Sequence, residues 1–177
     1  LYCNSEDARY FWDRLIELGA KPTALGARDT TRMEAALPLY GHEMGECEMG
    51  GEIQIYAVPL AKFAVSFDEA KGDFIGREPL KKQFEALKKI MNRDYSSIED
   101  LPYRIQPIYL EGKGVLRKGF PIYCKDAWAE GKQIGYVTSG TMIPYYKTEG
   151  QGLESVFTDE TGKRSIGLAY MDSRICQ

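Results

Sequence analysis

The chain has 177 residues, a net charge of −3, 44% hydrophobic residues and 28% charged ones. That composition belongs to a soluble globular protein and excludes a disordered tail. It lacks the excess of cations that a nucleic-acid binder needs to release phosphate counterions, and no apolar run is long enough for a membrane-spanning helix.

Four cysteines (Cys3, Cys47, Cys124, Cys176) are scattered with no CxxC pair, and no secretory signal opens the chain. Reduced thiols in a cytoplasmic protein are the expectation. The one histidine, His42, has only Cys47 nearby, which argues against a zinc site, and no metal is expected. "LYCN" reads as the tail of a strand already under way and "SIGLAYMDSRICQ" stops without a closing turn, so the chain is expected to be a fragment of a longer protein.

In chain order, "SEDARYFWDRLIELG" (5–19) predicts the first helix. Asn4 or Ser5 can cap it, Gly19 can end it, and Ala8, Phe11, Trp12, Leu15 and Leu18 form a stripe expected to pack on a sheet or another helix. A second helix is expected from near Leu25 to Leu37, with Pro38 stopping it. "EIQIYAVPLAKFAVSF" (52–67) predicts two strands split at Pro59. Residues 71–90 predict a Gly turn and a helix whose Leu80, Phe84, Leu87 and Met91 share a face, with solvated lysines around the rest.

The polar stretch 91–102 marks a domain boundary, dividing the chain into 1–98 and 99–177. After it, "YRIQPIYL", "GFPIYCK", "QIGYVTSG" and "SIGLAYM" predict short strands of a small sandwich or barrel. The fold class read from this order is α+β.

The segment "ALGARDTTRMEAALPLYGHEM" (24–44) crowds Arg28, Asp29, Arg32 and Glu34 among small apolar residues. On a helical wheel Arg28 and Arg32 fall about 40° apart, with Met33 and Leu37 on the core side. Chemistry alone favours an ion pair such as Arg32 with Asp29 or Glu34. The alternative aims Arg28 at an anionic ligand such as a carboxylate. Periodicity leaves both open.

That segment resembles the signature of the glycine-cleavage T-protein family of tetrahydrofolate-dependent aminomethyltransferases. The family pattern runs Gly-(Leu/Ala)-Gly-Ala-Arg-Asp, two residues, Arg, one residue, Glu-Ala, then Leu-Tyr-Gly. "KGDFIGREPL" is similar to a further block of the family, and "LRKGFPIY", "IGYVTSGT" and "SIGLAY" to blocks of its C-terminal barrel, in the family's order. The resemblance implies that 1–98 is the C-terminal part of the folate-binding aminomethyltransferase domain and 99–177 a C-terminal β-barrel or jelly-roll.

It also implies an activity. An aminomethyl group on the lipoyl arm of an H-protein-like carrier gives its one-carbon unit to tetrahydrofolate, releasing ammonia and forming methylenetetrahydrofolate. By the motif Arg28 is the folate-facing arginine, Tyr40 a secondary candidate, and Asp29, Arg32 and Glu34 support their helix. His42 is read as surface or structural, and Thr138, Ser139 and Gly140 as a turn.

The family's catalytic carboxylate and its Gly-Glu-Asp-Gly acid lie in the N-terminal portion, ahead of what "LYCNSEDA" resembles. No catalytic residue and no complete active site is therefore expected here. Two departures are loops 44–58, followed by Ala61 where the family has Glu, and 145–164, where the family has a brief turn. They keep alive another folate-dependent member (a demethylase or the folate domain of a sarcosine- or dimethylglycine-type oxidase) or a noncatalytic folate-binding assembly factor.

Overall fold

The computed structural model describes residues 2–125 and 129–175, which form a mixed α+β structure. Leu1 and Cys176 lie outside the described residues. Helix α1 (Ala8–Glu17) follows a 3₁₀ turn at Ser5–Asp7. Asp7 rather than Asn4 or Ser5 precedes it, and no side chain caps it. Gly19 does end it: at φ 91° its N–H donates to Ile16 O at 2.9 Å, and Ala20 N–H donates to Leu15 O at 3.0 Å. This is a Schellman closure with glycine in the left-handed position.

The expected packing of α1 is not what the structure has. None of its residues is buried, and Trp12 and Leu15 stay 55% and 47% exposed. Helical spacing makes an apolar stripe available but supplies no surface to cover it.

Helix α2 (Leu25–Glu34) ends three residues before the expected Leu37. Pro38 is not what stops it. Ala36 turns to φ 52°, its N–H donates to Met33 O at 3.0 Å, and Leu37 N–H donates to Arg32 O at 2.7 Å.

Residues 52–67 are not two strands. Only β2 (Glu52–Ile53) forms a strand, paired antiparallel with β1 (Gly45–Glu46), and a 3₁₀ turn (Ile55–Ala57) and the short helix α3 (Ala61–Ala64) follow. Tyr56, Ala57 and Val58 are buried in succession, which a strand with alternating faces cannot achieve, so core contacts override β-propensity. In α4 (Arg77–Met91) the buried residues are Ala86, Leu87 and Ile90, while Met91 is exposed. Ile90 completes the stripe expected to end at Met91. Lys81, Lys82, Lys88 and Lys89 are exposed, as expected.

All four expected strands form: β3 (Tyr103–Tyr109), β4 (Pro121–Tyr123), β5 (Gln133–Glu149) and β6 (Val156–Asp172). They make a curled antiparallel sheet of order β3-β6-β5-β4. The insertion 145–164 is the distal part of the β5–β6 hairpin rather than a loop, with Tyr145 opposite Gly162 and Tyr146 opposite Thr161. The stretch 44–58 likewise carries β1, β2 and the buried Tyr56. Thr138–Gly140 lie inside β5, not in a turn. Gly140 is required there by close approach, because a Cβ would stand 2.3 Å from Leu116 O.

One apolar cluster joins Tyr56, Leu87 and Ile90 to Leu101, Ile105, Leu168 and Tyr170, residues on both sides of position 98. No helix among the described residues is long and apolar enough to cross a membrane.

Candidate functional site

Helix α2 lies against β5 and β6, and its two arginines one turn apart meet different surroundings. Arg32 is buried and fully committed. Its Nε donates to Asp29 Oδ1 at 2.7 Å, its Nη1 to Leu37 O at 3.1 Å and to Glu43 Oε2 at 2.8 Å, and its Nη2 to Ser139 Oγ at 2.8 Å. Glu43 has no exposed surface and accepts two further hydrogen bonds, from Leu39 N–H at 3.0 Å and from Ser139 Oγ at 2.6 Å. A buried charge is tolerated when it is paired and its lone pairs are satisfied, and both conditions hold here.

The local chain geometry produces this network. The early closure of α2 turns Leu37 O back toward Arg32. The turn at Leu39–Met44, with Gly41 at φ 85° and Glu43 N–H on Leu39 O at 3.0 Å, carries the carboxylate inward. In β5 the pairing shifts between Val137 and Ser139, so Thr138 is a bulged residue. The bulge aims the Ser139 hydroxyl at α2. A further link joins Thr30 Oγ1 to Thr141 Oγ1 at 3.3 Å.

Arg28 is exposed, and its guanidinium has no hydrogen-bond or ion-pair partner among the described residues. It lines a cavity of about 650 Å³ together with Leu25, Asp29, Arg32, Leu37, Pro38, Leu39 and His42. Ligand cavities of this size with mostly apolar walls and a few polar groups are ordinary for small molecules. Among the described residues the cavity offers the uncommitted cation of Arg28, an apolar wall and an imidazole.

The other sequence candidates distribute as follows. Asp29 lines the cavity and holds Arg32, the ion pair that chemistry alone favoured. Glu34 is exposed, with no hydrogen-bond or ion-pair partner among the described residues. Tyr40 is 79% exposed and lines a different cavity of about 270 Å³ with Gly41, Cys47 and Lys118, so it is not brought to Arg28. His42 is half-buried, with Nδ1 3.2 Å from Thr138 O and 3.3 Å from Ser139 Oγ.

Against known proteins, 172 residues of alignment give 36% identity to an aminomethyltransferase of Staphylococcus saprophyticus, covering 97% of this chain and 36% of that protein. The aminomethyltransferase of Halalkalibacterium halodurans is 38% identical over 177 residues, 98% of this chain and 37% of that one. That of Caldanaerobacter subterraneus is 34% identical over 181 residues, 100% and 37% respectively. The chain belongs to the aminomethyltransferase family.

No protein-family model matches it. The chain spans little more than a third of the length of these aminomethyltransferases. Within the family signature, sequence reasoning missed the centre of the network. Glu43 and Ser139 are 96 positions apart and were not singled out as partners. The available signal was a carboxylate directly after His42 in a turn otherwise headed for the core, too local to reveal its partner strand.

Proposed function

We propose that the chain contributes one wall of a tetrahydrofolate cavity in an aminomethyltransferase of the glycine cleavage system. In this reading tetrahydrofolate accepts the one-carbon unit from the aminomethyl group on a lipoylated carrier, ammonia is released and methylenetetrahydrofolate is formed. The names of the three relatives support the transferase class. The single observation that carries the reading is the contrast between the two arginines: Arg32 is saturated by protein groups, while Arg28 faces the cavity with none.

In the proposed arrangement Arg28 takes a glutamate carboxylate of the folate through paired N–H donors. Leu25, Leu37, Pro38 and Leu39 exclude water along the ring system. Arg32, with Asp29, Glu43 and Ser139, anchors α2 on β5 so that Arg28 keeps its aim. Residues 1–98 complete a folate-binding domain, and 99–177 form its β-barrel companion. Asp29, the carboxylate lining the cavity among the described residues, is held by Arg32, and in this reading it does not assist the transfer.

Two measurements test this. Calorimetry with tetrahydrofolate on the whole protein in which these residues stand is expected to show Arg28→Ala weakening binding about 10- to 100-fold, the effect of losing a charged hydrogen bond worth about 1.5–3 kcal/mol. Unchanged affinity removes Arg28 from the site. The 177 residues alone are expected to catalyse no aminomethyl transfer, and measurable turnover by them would overturn the one-wall reading.

A further inference from the structure

His42 plays no part in the reading above, yet the structure determines where its proton lies. Two atoms face Nδ1: Thr138 O at 3.2 Å and Ser139 Oγ at 3.3 Å. A carbonyl oxygen only accepts. The Ser139 hydroxyl has a single proton, which it gives to Glu43 Oε1 at 2.6 Å, and it already accepts from Arg32 Nη2 at 2.8 Å. A lone pair is all it has left for His42. Both neighbours of Nδ1 are therefore acceptors, and a neutral ring must carry its proton on Nδ1. The bulge at Thr138 is what sets this carbonyl and this hydroxyl side by side.

Nε2 is then a bare lone pair, and no described residue donates to it. His42 also lines the cavity of about 650 Å³ that Arg28 lines.

We propose that His42 is the hydrogen-bond acceptor of this cavity, held as the neutral Nδ1–H tautomer with Nε2 receiving an N–H or NH₂ donor of the ligand. The assignment rests on the tetrahydrofolate reading and sharpens it. A ligand anchored by a carboxylate at Arg28 must present a nitrogen-bound proton at His42, as the amino and amide groups of a pterin or of a glutamyl linkage can. A ligand edge carrying only acceptors meets the Nε2 lone pair and is disfavoured, which makes His42 a specificity-determining residue.

The first test is made on the whole protein with ¹⁵N-labelled histidine, the His42 signals being those lost in His42→Gln. Long-range ¹H–¹⁵N spectra are expected to show the neutral ring protonated at Nδ1 and bare at Nε2. The opposite tautomer overturns the proposal.

The second test is tetrahydrofolate binding by the whole protein. In His42→Asn the shorter amide can still donate to Thr138 O but has no acceptor where Nε2 was. It should bind about five-fold more weakly, the loss of one neutral hydrogen bond. In His42→Gln the amide oxygen can reach the Nε2 position, and affinity should stay within about two-fold of wild type. Equal losses in the two variants, or the reverse order, indicate a merely structural histidine and overturn the proposal. Loss of binding in Arg28→Ala with wild-type affinity in His42→Asn rejects His42 alone. Absence of tetrahydrofolate binding in the wild type rejects the folate reading and this ligand assignment together.

Discussion

At the scale of single residues, Arg28 and Arg32 show how one side-chain type serves two ends on one helix. Their spacing on the helical wheel was legible in the sequence, and so was the Asp29–Arg32 pair, because residues three apart on a helix are neighbours. Which arginine would be consumed by the protein was not legible. That depends on Glu43 and Ser139, and nothing within a few residues of Arg32 announces a strand 107 positions away. The network is expected to be costly to break. Glu43→Ala leaves buried Arg32 with Asp29 alone as its carboxylate and removes the acceptor of Leu39 N–H and Ser139 Oγ, and urea unfolding should show a loss of about 3 kcal/mol. The paired replacement Arg32→Met with Glu43→Leu should recover much of that loss, since removing both charges also removes their desolvation. A double variant as unstable as the sum of the single ones would show that the two side chains act independently.

At the scale of elements, the three long helices end alike. Gly19, Ala36 and Arg93 take positive φ after α1, α2 and α4, and in each case the next residue's N–H reaches back to the carbonyl five positions earlier. Only α1 has glycine there, so only its end could be read from the sequence. Pro38 suggested the end of α2 from the wrong side, because proline forbids continuation but does not require the helix to run up to it. A left-handed alanine is strained by about 1–2 kcal/mol, partly offset by the larger chain entropy that glycine loses on folding. Ala36→Gly is therefore expected to stabilise by about 0.5–1 kcal/mol in the same urea titration. A destabilised variant would mean that the Ala36 methyl makes packing worth more than the strain. The β5–β6 hairpin teaches the converse lesson. Its distal part has the polar, Gly-containing texture of a loop, but pairing across the ribbon organises it, as with Lys147 Nζ on Glu160 Oε2 at 2.7 Å.

At the scale of the whole molecule, a tyrosine-rich core makes the fold sensitive to alkali. Burial, helped by nearby Cys47 and Tyr103, pushes the Tyr170 hydroxyl up to about 12 from its ordinary 10.0, and burial foremost also raises Tyr136. Both rings lie in the cluster that joins the α4 side to the sheet. Between these values the folded state keeps protons that the unfolded chain releases, so stability falls as pH rises. The contribution is complete below the ordinary value of 10.0 and is lost as pH climbs through the folded value of about 12. The melting temperature is expected to drop across that window, with a smaller drop in Tyr170→Phe. Identical profiles for wild type and variant would remove Tyr170 as the cause.

The sequence by itself determined the α+β class, the positions of three helices and four strands, the charged helix with Arg28 on its outer face, and the family signature. These are properties of short-range periodicity and of ordered motifs, and they survive without knowledge of neighbours. The tertiary structure alone decided that residues 52–67 turn into the core, that no described element covers the apolar stripe of α1, and that the 145–164 insertion extends a hairpin. It alone also decided that Arg32, Glu43, Ser139 and His42 share one hydrogen-bond network. Each of those outcomes turns on which surface meets which, and a buried charge or an imidazole proton is placed by partners far away in the chain.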